Sequence, residues 1–287
     1  MIELVQPMLA GDRRALARLL TAVENGRNGV DQVIADLFSH TGRAWVIGIT
    51  GAPGTGKSSL VNALAKAYRA DDKTVGILAV DPTSPFTGGA ILGDRIRMRD
   101  LTGDKGIFIR SMATRGSLGG LARPTRDAIR LMDAAGFDIV LVETVGAGQS
   151  EVDIVRTAQT TVVVEAPGMG DDVQAIKAGI LEIADVLVVN KADKQGVDNT
   201  IRGLKNMLEL GHPASRDGLA SHHGQLLPVV PAANGHHADF WLPPIVRTVA
   251  TEGLGIDEVK AAIQTHRDFM AGDNRLAYFE RQCPDPR

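Results

Sequence analysis

The sequence has a single cysteine, Cys283, among its 287 residues. That excludes an internal disulfide framework and any zinc site built on cysteine pairs. Aromatic residues make up only 4%, which argues against a single-strand nucleic-acid binder, because such proteins stack bases on aromatic platforms. Neither sign of charge dominates: 31 Lys and Arg stand against 34 Asp and Glu, a formal net charge of −3. No global field points to nucleic acid or to an anionic membrane. No apolar run approaches the ~20 residues of a membrane-spanning helix. The opening Met1-Ile2-Glu3-Leu4 lacks the basic and apolar regions of a signal peptide. The expectation is a soluble, cytoplasmic protein with no nucleic-acid or membrane partner.

Glycine is what the chain has in excess: 32 residues, about 11% against a usual ~7%. There is no G-X-Y period, so this is not collagen. With 23% charged and 44% hydrophobic residues the chain reads as globular rather than disordered. Its length lets it bury roughly 75% of its unfolded surface, so a core needs neither disulfides nor a structural metal.

Residues 2–40 read as helical and amphipathic. Leu9, Leu16, Leu19, Leu20 and Val23 recur at helical spacing, with Asp12, Arg13, Arg14 and Arg18 between them. The arginines read as a solvated face, with a partner surface as the alternative. After Gly42 short β-branched runs alternate with helical stretches: Trp45–Thr50, Thr74–Val80, Ile107–Arg110, Phe137–Glu143, Thr161–Glu165, Val186–Asn190 and Ile245–Ala250. Consecutive apolar positions mark strands buried on both faces. The pattern predicts an α/β fold, a mostly parallel sheet with helices on both sides, whose ligands bind at the carboxyl ends of the strands. Residues 211–240 break the rhythm and hold five of the seven histidines: His212, His222, His223, His236 and His237. They read as a solvated loop, with a metal site as the lesser alternative. The polar tail from Gly272 is expected to be mobile.

Gly51-Ala52-Pro53-Gly54-Thr55-Gly56-Lys57-Ser58 matches G-x-x-x-x-G-K-[ST], follows a strand and leads through Ser59 into a helix. Glycines let the backbone turn its N–H groups onto phosphate oxygens, and the helix N-terminus adds positive potential. Lys57 would reach the β- and γ-phosphates, and Ser58 would ligate Mg²⁺. About 130 residues further on, Asn190-Lys191-Ala192-Asp193 closes another strand. The Asp193 carboxylate offers two acceptors to guanine N1–H and its 2-amino group, and meets an acceptor on adenine. Asn190 would brace the loop, and the Lys191 stem would cover the purine face. The expected nucleotide is therefore GTP or GDP.

Three acidic, glycine-bearing loops lie between these motifs: Asp81-Pro82-Thr83-Ser84-Pro85 through Gly93-Asp94-Arg95, Glu143-Thr144-Val145-Gly146-Ala147-Gly148-Gln149-Ser150-Glu151, and Gly168-Met169-Gly170-Asp171-Asp172-Val173-Gln174-Ala175-Ile176-Lys177. Acids facing a triphosphate imply a cation between them, hence Mg²⁺. Gly146 could donate its N–H to the γ-phosphate, and Gln149 is a water-positioner by type. Ten of the 32 glycines fall in the phosphate loop and these three loops. The excess reads as backbone that approaches phosphate or changes shape with it.

These motifs, with Gly88-Gly89-Ala90-Ile91-Leu92-Gly93-Asp94-Arg95 and Ala178-Gly179-Ile180-Leu181-Glu182-Ile183-Ala184-Asp185, resemble the MeaB/ArgK family of P-loop GTPases from about Leu9 to Met270. The resemblance implies Mg²⁺-dependent GTP hydrolysis with slow basal turnover. It implies a chaperone that gates adenosylcobalamin delivery to methylmalonyl-CoA mutase or a related acyl-CoA mutase and protects it, the cobalamin being bound by the partner. It suggests Ser58, Asp81, Asp94 and Glu143 as metal ligands or their water-mediated surroundings. It places Asp171, Gln174 and Lys177 in a switch loop coupling hydrolysis to the partner, with Lys57, Gln149 and Lys177 as the catalytic candidates. Val249-Ala250-Thr251 would take the place of the guanine-contacting segment. The implied organisation is a helical N-terminal extension (1–41), a GTPase domain (42–271) and a short tail (272–287). Relatives carry a C-terminal helical arm that makes a dimer. About sixteen residues follow Ala271 here, so a shortened arm is expected and a homodimer stays open. The alternative function is a nickel-metallochaperone GTPase of hydrogenase or urease maturation. A basic-amino-acid transport kinase and a signal-recognition GTPase are the remoter alternatives.

Overall fold

The structure, a computed structural model, describes residues 1–82, 99–101, 103–114, 123–144, 157–168, 183–211, 219–222, 225–228, 241–272 and 276. Seven strands form one parallel sheet: β1 (Trp45–Thr50), β2 (Val75–Pro82), β3 (Ile107–Thr114), β4 (Ile139–Thr144), β5 (Thr160–Glu165), β6 (Val186–Val189) and β9 (Ile245–Arg247), in the order β3-β2-β4-β1-β5-β6-β9. Every residue of β1, β4, β5 and β6 is buried, as the continuous apolar runs require. Register places Ala79 beside Glu143 and Ile49 beside Glu143 from the other side. The carboxyl ends of β2, β4 and β1 therefore finish together.

Helices cover both faces, because a parallel connection needs a crossover. On one face lie α4 (Lys57–Ala70) and α7 (Ile256–Ala271), whose Leu60, Leu64, Val259 and Ile263 pack on Ile47, Ile77, Leu141 and Val162. On the other lie α1 (Val5–Leu9), α2 (Arg13–Glu24), α3 (Val30–Leu37) and α5 (Arg123–Ala134). There Leu16, Leu20, Val33 and Leu131 share a cluster with Leu78, Val140 and Val142. The alternation of Val140, Leu141 and Val142 between the two clusters is the period-two signature of a strand with two buried faces. A further helix, α6 (Val197–Gly211), sets Ile201 and Leu204 against Val189 of β6.

The helical reading of residues 2–40 needs division. The segment breaks at Gly11, Gly26 and Gly29, all at positive φ, a backbone state that ends a right-handed helix. Asp12 restarts it, its carboxylate accepting from Arg14 N at 2.7 Å and Ala15 N at 3.3 Å. Arg13 is exposed, as the solvated-face reading expects, while its guanidinium also donates to the Ile107 carbonyl at 2.7 Å and to that of Lys105. Arg14 and Arg18 are exposed. At the far end of this layer, Asp133 of α5 accepts from the N–H groups of Gly42, Arg43 and Ala44 at 2.6, 3.1 and 2.8 Å. That contact fastens the chain as it enters β1.

The loop reading of 211–240 is also corrected in part. Leu219–His222 (β7) and Gln225–Pro228 (β8) form an antiparallel pair, Ser221 opposite Leu226. His212, His223, His236 and His237 lie outside the described residues. In the tail, Leu276 packs on the α4–α7 cluster; most of the tail lies outside the described residues.

Candidate nucleotide site

The phosphate loop connects the carboxyl end of β1 to the N-terminus of α4, which carries its positive potential toward the same rim. Two glycines are fixed by their surroundings. Gly51, at φ +136°, lies so close to β5 that a Cβ would run into the carbonyl oxygen of Val164. Gly56, at φ +97°, caps α4, and a Cβ there would land on the Asn190 amide. Lys57 is buried, and its Nζ donates to the carbonyls of Gly51 at 2.8 Å and Ala52 at 3.0 Å. The amine is thus held inside the ring of the loop. Thr55 Oγ1 donates to the Ala52 carbonyl at 2.9 Å, drawing the loop's two halves together.

The second motif is joined to the first by hydrogen bonds. Asn190 sits just after β6, its amide Nδ2 donating to the Thr55 carbonyl at 2.9 Å. Its Oδ1 accepts from Thr248 Oγ1 at 3.0 Å and from Ala250 N at 3.1 Å. One buried side chain thereby links the phosphate loop, the end of β6 and the segment after β9. Lys191 adopts φ +57° and its Nζ donates to the Gly54 carbonyl at 2.6 Å, so its stem lies along the loop. Asp193 is exposed, and with Gly56, Ser59, Asn190, Lys191, Lys194 and Val249–Thr251 it lines a recess of about 220 Å³. The structure therefore brings Val249, Ala250 and Thr251 to the same recess as Asp193. It also adds Thr248, which motif reading missed. Its hydroxyl fixes the Asn190 amide, and nothing in the sequence around Arg247-Thr248 marks it.

Oxygen donors gather beside the loop. Ser58 Oγ donates to Glu143 Oε1 at 2.6 Å, and both residues are buried. The Asp81 backbone lies next to the end of β2, one residue past the Val80–Thr144 pairing; its side chain lies outside the described residues. Asp94, Gly146, Gln149, Asp171, Gln174 and Lys177 lie outside them as well. Among the described residues no group of three or more His, Cys, Asp or Glu is placed to hold a metal. The oxygens available from Ser58 and Glu143 suit a hard cation that a bound triphosphate would help to ligate. No helix among the described residues is long and apolar enough to cross a membrane.

The comparisons agree with this arrangement. A family model described as "Methylmalonyl Co-A mutase-associated GTPase MeaB" matches residues 16–283. A Pyrococcus abyssi protein bearing a GTPase name is 51% identical over 274 residues, covering 96% of this chain and 78% of that one. GTPase ArgK of Escherichia coli is 33% identical over 284 residues, covering 98% of this chain and 80% of that one. The crystal structure of a LAO/AO transport system kinase superposes with a TM-score of 0.70 at 24% identity, over 98% of this chain and 79% of that one, a likeness of fold. A strand-to-helix phosphate loop, the Asn190-Lys191-Ala192-Asp193 segment bonded to it and a family match over most of the length point one way: the chain belongs to the MeaB/ArgK family of P-loop GTPases.

Proposed function

We propose that the chain binds GTP with Mg²⁺, hydrolyses it slowly, and uses the cycle to gate adenosylcobalamin delivery to, and protect, a cobalamin-dependent acyl-CoA mutase. The observation that carries the nucleotide part is the Asn190–Thr55 hydrogen bond. It fixes the guanine-side recess at a set distance from the phosphate loop, so one ligand can occupy both.

In this reading Asp193 accepts from guanine N1–H and the 2-amino group, and the loop N–H groups take the phosphates. Lys57 exchanges its two loop carbonyls for β- and γ-phosphate oxygens and balances charge as water attacks the γ-phosphorus in line. Ser58 and Glu143 would hold the cation, directly or through water, with Asp81 and Asp94 as further candidates. Mg²⁺ would supply charge neutralisation of the triphosphate. Gly146, Gln149 and the Asp171–Lys177 loop are proposed to respond to the γ-phosphate and pass that state to the mutase. The mutase assignment rests on the family match. Its test is a pull-down with a cobalamin-dependent acyl-CoA mutase, with and without a non-hydrolysable GTP analogue. Nucleotide-dependent association is expected; equal recovery in both arms removes the nucleotide gate, and no recovery in either removes the partner. The nucleotide assignment is tested by GTP turnover in the presence of excess ATP, which should leave the rate unchanged.

A further inference from the structure

Beside the guanine-side recess lies a larger one of about 530 Å³, between α4, the start of α7 and the short turn Arg99–Leu101. The two share Ser59, Ala250 and Thr251, so they meet along one wall. Nucleotide connectivity decides what crosses that wall. With the base at Asp193 and the phosphates at the N-terminus of α4, the ribose that joins them lies over Ser59. Of the two ribose edges, the one with the 2′ and 3′ oxygens is the one whose substituents a recess of that size could take. This step rests on the nucleotide reading above.

The lining of that recess is charged in a particular way. Asn62 Nδ2 donates to Asp100 Oδ1 at 2.9 Å, and Lys66 Nζ bonds to Asp100 Oδ2. The hydrogen bond from Lys66, seconded by that from Asn62, holds the Asp100 carboxyl below its usual range, so it is ionised at neutral pH. Asp257, at the start of α7, brings a second carboxylate. Lys260 is 3.8 Å from it but closer to Asp71, at 2.9 Å. The recess therefore presents two carboxylates and one amine: Lys66 pairs with Asp100, and Asp257 leaves the lining with a net negative charge. Its volume is many times the roughly 30 Å³ share of a water molecule, so a sizeable substituent fits.

We propose that this recess is a ribose-edge subsite that admits neutral groups on the 2′ or 3′ oxygen and rejects anionic ones by charge. Asp100 and Asp257 are its specificity-determining residues. The site then accepts guanosine 5′-phosphates and discriminates against guanine nucleotides that are phosphorylated on the ribose as well.

The experiment measures Kd by calorimetry on the full chain for three probes: GDP, its 2′/3′-O-(N-methylanthraniloyl) derivative, and guanosine 3′-diphosphate 5′-diphosphate. The neutral derivative should bind within about threefold of GDP, and the 3′-diphosphate at least about tenfold more weakly at low salt. That gap should shrink as ionic strength rises from about 50 to about 500 mM, because the charges involved are exposed and screened. Asp100→Asn should close most of the gap while leaving GDP within about twofold. Equal affinity for GDP and the 3′-diphosphate overturns the proposal, as does a gap that neither salt nor Asp100→Asn alters. Failure of GDP itself to bind would overturn the nucleotide reading and this subsite with it.

Discussion

At the carboxyl edge of the sheet, Lys57, Ser58, Glu143 and Asn190 are buried beside two open recesses. At the amino edge, Thr160, Asp185 and His266 are equally buried, but beneath rings. There Trp45 Nε1 donates to Thr160 Oγ1 at 2.9 Å, and the same oxygen lies 2.9 Å from His266 Nδ1. His266 Nε2 stands 3.2 Å from Asp185 Oδ1, while Asp185 Oδ2 accepts from Thr161 N at 2.7 Å. Trp241 meets His266 edge-on with centroids 4.8 Å apart and donates to the Asp185 carbonyl. Asp, His and Thr in sequence resemble a nucleophile relay, yet Thr160 is sealed from any substrate. Buried polar side chains do not by themselves mark a site. What separates the two edges is access: the polar groups of one lie beside open recesses, and those of the other lie under Trp45 and Trp241.

Substitutions should therefore split the two edges by readout. The largest effect belongs to Lys57→Ala, which removes the amine held in the loop. GTP turnover should fall by about 10²-fold or more, with the fold retained by circular dichroism. Unchanged turnover would sink the site assignment. Next comes Asp193→Asn, in which the amide replaces one of two acceptors by a donor facing guanine. GDP affinity should drop about 10- to 100-fold, and the preference over ADP should shrink with it. A variant that still prefers guanine by the full margin would place base reading elsewhere.

The same contrast explains what was legible in the sequence. The central strands are legible as runs rich in β-branched and apolar residues, because burial on both faces confines their polar residues to the strand ends. For the edge strand β3 the pattern predicts an end at Arg110, but the strand runs to Thr114. Its polar Ser111 and Thr114 are carried by pairing with Ala79 and Pro82, which no single-strand pattern reveals. The β7–β8 pair was missed because Leu219-Ala220-Ser221-His222 shows no alternation. At the site, Lys57 and Asn190 were legible since each belongs to a contiguous motif. Thr248 and the Asn62–Lys66–Asp100 group were not, because they come from separate elements that meet only in the folded chain.

At the amino edge the sign of the result reverses: stability should move and turnover should not. His266→Ala leaves a cavity beside Trp241 and removes a partner from Thr160 and from Asp185. The expected loss is about 2–4 kcal/mol in urea unfolding, with kcat for GTP within about twofold of the unaltered chain. A large fall in kcat at unchanged stability would mean that the two edges are coupled through α7, and the division drawn above would fail.

The smallest expected effect, and the sharpest in its pH signature, is at Asp138, which precedes β4 on that same edge. Burial pushes its carboxyl upward, but the N–H and hydroxyl of Thr74, both 2.8 Å from Oδ2, outweigh it, with Lys73 and Arg43 assisting. The net direction is down. A carboxyl whose folded pKa lies below its unfolded value stabilises the fold above the unfolded value of about 3.9, and that contribution disappears as pH falls through the folded value. Asp138→Asn keeps an acceptor for Thr74 but removes the charge. The variant should be less stable than the unaltered chain by up to about 1 kcal/mol near pH 7. The difference should narrow below about pH 4 and vanish once the native carboxyl is protonated. A difference that stays constant across that range would show that the geometry of the Thr74 contact, and not the charge on Asp138, holds the start of β4 against β2.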